Sequence, residues 1–292
     1  MSSAIAPARL VLNRVETLVF AGGGNRCWWQ AGWIHAMQER GWRLPATLVG
    51  TSAGAAVAAA ALSQTLEKAF AECQRLYAGN ARLWDWRGLL KLELVFAHQQ
   101  IYPAWLNGFI NAASWPRIAK STSDLQVAVT HPSAWLGLRG SVMAATLAYL
   151  LDKKLLHAIH PKLPRRLGLR QSFFSLRDCG KEDLGRELLG AAAAAPPFMK
   201  ARRLFQQWAL DGGYVDNAPL PPQTEAQKTS TLVLLTRFYP KLPTVFAWRG
   251  RTYWQPSQAI PVSTWDCRPH TTVTQAYELG QRDAQRMAPA LG

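Results

Sequence analysis

The sequence predicts an α/β fold: a mainly parallel central sheet with helices on both faces, in three layers (α/β/α), carrying a nucleophile elbow. Two observations lead there. Strand-like and helix-like segments alternate, and a first strand–helix–strand–helix unit is complete within about 45 residues, from Thr17 to Leu62. Consecutive strands joined through a helix lie parallel, with a right-handed crossover. The second strand also runs into Gly50-Thr51-Ser52-Ala53-Gly54, a G-x-S-x-G placed between strand and helix.

The elements follow in order. Thr17–Ala21 is an apolar run of strand type ended by Gly22, Gly23 and Gly24. Arg26–Arg40 reads as a helix, with Trp29, Trp33 and Met37 four apart, and Gly41 stops it. Leu48–Gly50 is the second strand, and Ala53–Leu62 is a run of small, helix-compatible residues. Further helices are expected over Leu66–Tyr77, Ser141–Ile159 and Leu184–Ala195, and a C-terminal one over 272–286. Further strands are expected at Leu125–Thr130, Phe173–Leu176, Trp208–Leu210 and Leu232–Thr236. Pro196-Pro197 and Pro219 to Pro222 are too short to be interdomain linkers, and no repeat is found. The expected organisation is one domain over 1–292, with residues 1–14 as a flexible N-terminal tail.

At 292 residues, with 49% hydrophobic and 17% charged residues, the chain has a globular composition that can bury a sizeable core. No window approaches 18 consecutive apolar residues; the longest, Val142–Leu151, runs into Asp152, Lys153 and Lys154. Arg9 and Arg14 interrupt the N-terminus, and Leu18–Ala21 is too short for the apolar part of a signal peptide. The four cysteines, Cys27, Cys73, Cys179 and Cys267, form no C-x-x-C pair, which argues against zinc and against a disulfide framework. The expectation is a reduced, cytoplasmic protein with no transmembrane helix, peripheral to membranes if it meets them at all.

In the G-x-S-x-G segment the turn is so tight that side chains two residues either side of Ser52 would clash, hence Gly50 and Gly54. The serine hydroxyl projects at the sheet's carboxyl edge, facing the N–H groups of the next helix. Gly22-Gly23-Gly24-Asn25-Arg26 forms an anion nest, its N–H groups turned inward. A dinucleotide fingerprint fails there, because Cys27 stands where a third glycine belongs and no acid lies between Gly41 and Gly50. A Walker A loop fails for want of Gly-Lys-Ser/Thr. Neighbouring parallel strands share one carboxyl edge, so the nest lies beside Ser52, as an oxyanion hole lies beside a nucleophile.

A serine hydroxyl needs a base. Asp211-Gly212-Gly213 follows the strand-like stretch Trp208–Leu210, and Asp216 is its rival close by. The three blocks together resemble the patatin-like phospholipase family, in which G-G-G-x-R/K, G-x-S-x-G and D-G-G/A occur in this order. They span residues 17 to 217. The resemblance implies a Ser–Asp dyad without histidine: Ser52 the nucleophile, Asp211 the base, and Gly22, Gly23 and Gly24 the oxyanion hole. It implies an acyl-enzyme and no metal or organic cofactor. Cys27 departs from the glycine of many relatives, and with Trp28 and Trp29 it narrows the approach to the hole.

A carboxylate with an ordinary pKa near 4 is a poor base at neutral pH. An apolar surround from Trp208, Leu210 and Tyr214 is expected to raise it. His270 follows Ser52 and Asp211 in the chain order of α/β-hydrolase triads, so a Ser52–Asp211–His270 triad esterase remains a second reading. His35 is read as a helix-surface residue. Arg26 either anchors the glycine loop or contacts a lipid phosphate. Ala191–Ala195 with Pro196-Pro197 is read either as lying near the site, as in the family, or as an ordinary tight helix contact.

The charge is lopsided: 33 Lys and Arg against 18 Asp and Glu, a net +15, with 13 Trp. That balance suits an anionic surface. Seven basic residues and no acid lie between Lys153 and Arg177: Lys153, Lys154, Lys162, Arg165, Arg166, Arg170 and Arg177. In Ser141–Ile159, Leu147, Leu151 and Leu155 form one stripe, with Lys153, His157 and His160 on the other side. Two readings stand: an interfacial helix with a basic flank that docks on anionic membrane, or a core-facing helix followed by a solvated loop. No nucleic-acid-binding motif accompanies the charge, so nucleic acid is not expected as a partner. The resulting reading is a lipid acyl hydrolase of phospholipase A or lysophospholipase type, acting on a phospholipid or another acyl-ester lipid. A catalytically silent membrane-surface module that keeps the fold is its rival from another class.

Overall fold

β-Branched and apolar residues concentrate in short runs, and these runs pair into one large mixed, open sheet. The computed structural model describes residues 5–8, 10–85, 95–151 and 158–286. Its strands are β1 (Ala6–Pro7), β2 (Thr17–Phe20), β3 (Thr47–Gly50), β4 (Trp84–Asp85), β5 (Val95–Phe96), β6 (Asp124–His131), β7 (Arg170–Ser175), β8 (Arg202–Leu204), β9 (Gln207–Asp211), β10 (Thr231–Leu234), β11 (Val245–Trp248) and β12 (Arg251–Trp254). The helices are α1 (Cys27–Glu39), α2 (Ser52–Leu62), α3 (Leu66–Ala78), α4 (His98–Phe109), α5 (Trp115–Ala119), α6 (Gly137–Leu151), α7 (Leu163–Arg166), α8 (Glu182–Ala192), α9 (Glu225–Thr229) and α10 (Val273–Arg286).

The centre of the sheet is parallel, in the order β12-β10-β2-β3-β6, and its wings are antiparallel. Alternate residues of β2 serve opposite faces. Leu18 and Phe20 join the larger core with α1, α2 and α8, while Val19 and Ala21 join a smaller one with Val233, Phe246 and Tyr253. α6 lies on the second side, where Ala145 packs with Leu169 and Val215.

One strand carries three partners, and this positions the site. β7 pairs β6 from Gln126 to His131 and so occupies one of its edges. β3 pairs Asp124 to Val127 and must hold the other. β9 pairs Val129 and Thr130. It therefore takes the same edge as β3, just beyond the point where β3 ends at Gly50. Asp211, the last residue of β9, is brought opposite Val129, two residues past the partner of Gly50.

α10 caps α1 at unusually short range. A Cβ on Gly32 would lie 1.9 Å from the carbonyl oxygen of Tyr277, and one on Gly280 would lie 2.0 Å from that of Trp29. Trp29 Nε1 donates to Asp283 Oδ2 at 2.8 Å across the same contact. Backbone oxygens cannot step aside as a side-chain tip can, so Gly32→Ala is expected to cost about 3 kcal/mol through overpacking. A lowered urea midpoint at unchanged m-value checks this; an unchanged midpoint refutes so close a crossing.

Several expectations are corrected. The tail over 1–14 is, in its described part, built in: Ala6 and Pro7 pair with β11, and Leu10 and Leu12 are buried. The helix expected over Ser141–Ile159 starts earlier, at Gly137, and is described to Leu151; Ile159 is buried outside it. Lys153, Lys154, Leu155 and His157 lie outside the described residues. His160 is held away from solvent, Nδ1 2.8 Å from Asp216 Oδ2 and Nε2 2.9 Å from the Tyr253 hydroxyl. His35 is partly buried and hydrogen-bonds the Tyr277 hydroxyl.

Candidate active site

Ser52 opens α2 with φ of 54°, a left-handed conformation that is strained for a residue with a side chain. The glycines around it make the turn possible. A Cβ on Gly50 would sit 2.7 Å from Cα of Ala55, and one on Gly54 would sit 2.5 Å from the carbonyl oxygen of Ala21. Thr51 Oγ1 donates to the carbonyl of Ala128 at 3.2 Å, tying the elbow to β6.

Asp211 is brought against this turn, close enough for the Ser52 side chain to act on its carboxyl. Gly213 N–H donates to Asp211 Oδ1 at 2.7 Å, and the Asp211 backbone N–H is fixed by the carbonyl of Ala194 at 2.9 Å. Burial pushes the Asp211 carboxyl up to about 6, against the opposing pull of the Ser52 side chain and the Gly213 N–H. The surround differs from expectation in one member: Leu210 is buried, whereas Trp208 is exposed and lies under the Arg203 guanidinium. The rival Asp216 is engaged by His160 and by the N–H of Ala218. His270 is 65% exposed and faces Asp266, with Nε2 3.2 Å from Oδ2, so the structure directs it away from the triad role.

The glycine loop needs a correction. Gly22 N–H is consumed by the carbonyl of Asn217 at 2.7 Å, so it cannot serve an oxyanion. Among the described residues, the N–H groups of Gly23 and Gly24 have no protein acceptor. Gly24 has φ of +55°, and a Cβ there would lie 2.3 Å from the carbonyl oxygen of Thr264. Arg26 Nε donates to the carbonyl of Gly23 at 3.3 Å, the anchoring reading, and the residue also lines the outer cavity. Asn25 staples the loop to the C-terminal segment: its N–H donates to Thr264 O at 3.1 Å and its amide to Ser263 O at 2.9 Å.

Two cavities meet at Ser52. The inner one has an apolar wall that includes Trp28, Val57, Ile101, Trp105 and Met199. The outer one is bordered by Asp211, Gly23, Arg26 and Pro196, and by Tyr149 and Leu150 of α6. Ala193 and Ala195 border the inner and outer cavities respectively, so the small-residue stretch does lie at the site. Cys27 and Trp28 line the inner cavity, whereas Trp29 turns into the α1–α10 contact. Burial pushes the Cys27 thiol far up, so it stays protonated.

Residues not singled out from sequence also line the inner wall: His98, Tyr102 and Trp265. Burial holds His98 neutral, lowering its pKa to about 4. These side chains come from segments remote from the motifs, and the indole of Trp265 stacks on Phe198 with ring centroids 4.5 Å apart. Their one shared sequence signal is aromatic richness, which does not distinguish a cavity wall from a core.

Fold and site together describe an α/β protein with a serine at a strand–helix elbow, an adjacent buried carboxylate and a glycine loop. Residues 18–222 match the family model for patatin-like phospholipase, more than half of the chain, and the protein belongs to that family. The family acts on lipid acyl esters. No curated protein matches the chain significantly. Thr264 and Trp265, which border Ser52, lie beyond the matched stretch.

Proposed function

We propose that the protein is a serine-dependent lipid acyl hydrolase of phospholipase A or lysophospholipase type, working through Ser52 and Asp211. The observation that carries this reading is the placement of Ser52 against the buried Asp211 carboxyl, where an apolar cavity meets an open one. Asp211 takes the hydroxyl proton as Ser52 Oγ attacks the ester carbonyl. The resulting oxyanion accepts from the N–H groups of Gly23 and Gly24, close to the N-terminus of α2. Collapse expels the alcohol, which takes the proton back from Asp211. Water, deprotonated by the same carboxylate, then releases the fatty acid and restores Ser52. The inner cavity holds the acyl chain, while the polar remainder occupies the outer one beside Arg26. A carboxylate at about 6 is a competent base at neutral pH, so no histidine is required.

A fluorophosphonate probe should label Ser52 in the wild type and not in Ser52→Ala. Wild type should hydrolyse p-nitrophenyl butyrate at least a thousandfold faster than that variant. A wild type that neither labels nor hydrolyses any acyl ester offered would support the silent surface module instead. His270→Ala should retain activity; its loss, with Asp211→Ala active, would restore the triad.

A further inference from the structure

α6 is amphipathic the wrong way round for a helix that belongs wholly to a core. Its buried positions are the small residues Ser141, Ala145 and Ala148, whereas Met143, Leu147, Leu150 and Leu151 stand on the outer face. Met143 is 73% and Leu147 59% exposed. Leu163 at the start of α7 and Trp135 just before α6 extend the patch; Trp135 is 69% exposed and lies against Gly168, beyond α7. Contiguous exposed apolar side chains on this scale mark a contact surface.

The charge beside the patch has one sign. Arg139 lies on the outer stripe, and Lys162, Arg165, Arg166 and Arg170 are exposed on and around α7, which packs against α6. Between Asp124 and Asp178 the sequence holds a single acid, Asp152, which lies outside the described residues. Large apolar side chains ringed by Lys and Arg complement the acyl boundary and head groups of an anionic bilayer. A second copy of this chain, itself at net +15, would meet the apolar part and leave the cations without counter-charges. The patch is also continuous with the site, because Thr146, Tyr149 and Leu150 of the same helix border the outer cavity at Ser52.

We infer that the outer face of α6, with the basic rim of α7, docks on an anionic phospholipid bilayer and sets the Ser52 mouth against the lipid. This moves the docking expected of the basic segment 153–177 onto the helix before it, the described part of that segment supplying the rim. The inference rests on the acyl-lipid reading for its substrate but not for the contact itself. No helix among the described residues is long and apolar enough to cross a membrane, so the contact is peripheral.

Catalysis and docking separate in the test. Full-length Ser52→Ala protein is sedimented with vesicles of phosphatidylcholine alone, or with a quarter of the lipid replaced by phosphatidylglycerol. It should pellet with the mixed vesicles and far less with the neutral ones. Met143→Ser with Leu147→Ser, and separately Arg165→Gln with Arg166→Gln, should each lower the partition coefficient by about tenfold. Added salt should erase the difference for the arginine pair alone. In the Ser52 background, Met143→Ser/Leu147→Ser should hydrolyse p-nitrophenyl butyrate at the wild-type rate while losing activity on mixed vesicles. Absence of vesicle binding, or binding that neither pair weakens, overturns the docking. So does a solution dimer that Met143→Ser/Leu147→Ser dissolves, or preference for a DNA duplex over the vesicles. Normal docking by a wild type inactive on every ester would instead overturn the hydrolase reading and leave the docking standing.

Discussion

Asp211→Asn is expected to abolish ester hydrolysis and, in the same molecule, to raise stability at pH 7.5. The first effect follows from removing the proposed base. Asparagine keeps the shape and can still accept from Gly213, but cannot take the serine proton, and a loss of about a thousandfold or more is expected. The second follows from the carboxyl's displacement from an ordinary 3.8 to about 6 in the folded protein. Below the unfolded value the acid is protonated in both states and adds no penalty. As pH rises through about 6 the folded state must bury a charge that the unfolded chain leaves in water. Stability from this group is therefore full in acid and lost on the way to neutrality, by up to about 3 kcal/mol. Asn never ionises, so the variant should recover most of that amount at pH 7.5 and almost none at pH 3.5. Denaturant titrations at the two pH values measure it, and equal differences at both would show that Asp211 is not the group concerned. For the wild type, kcat/KM should rise with pH to a plateau with an apparent pKa near 6.

The second large effect is expected at Gly24. Its φ is positive, and a Cβ added there would meet the Thr264 carbonyl oxygen at 2.3 Å, so Ala has no place to go without moving the loop. Displacing an oxyanion donor typically removes about 3 to 4 kcal/mol of transition-state stabilisation, so Gly24→Ala should lower kcat by 100-fold or more with KM little altered. Fluorophosphonate labelling of Ser52 should slow in parallel, since the phosphonyl oxygen needs the same donors. Gly22→Ala is the informative comparison, because the Gly22 N–H is held by Asn217 and any loss there would come from steric contact with Asn217 and Ser52. If Gly24→Ala melts like wild type and keeps full kcat, the glycine loop is not the oxyanion site.

The elbow was legible in the sequence because its constraint is local: the backbone that puts Ser52 at a positive φ needs glycine two residues to either side. Gly-Gly-Gly after a strand was legible for the same reason, but the fate of each N–H was not. Whether Gly22 donates to Asn217 depends on residues nearly two hundred positions apart. Asp211 could be singled out by its motif, while its proximity to Ser52 depends on β9 taking over the edge of β6 that β3 leaves, a pairing no periodicity encodes. Helical spacing found the leucine stripe of α6 but could not say which way it turned. That is decided by how closely Ala145 and Ala148 let the other face approach the body of the protein. The aromatic wall of the inner cavity was illegible because an indole lining a cavity and an indole filling a core look alike in sequence.

The meeting of two cavities at Ser52 has a kinetic consequence for a split ester. Its halves lie on different sides of the bond that breaks, so they do not compete for one exit. In the proposed mechanism the alcohol half would occupy the open side and depart first, while the acyl half would stay tethered within the apolar wall. The vacated side then decides what receives the acyl group. Against a bilayer, in the proposed docking, lipid hydroxyls would stand at that entrance together with water, and the choice between hydrolysis and transfer would become a competition among acceptors. The geometry of the entrance around Arg26, Tyr149 and Pro196, more than the chemistry at Ser52, would set the ratio of the two products.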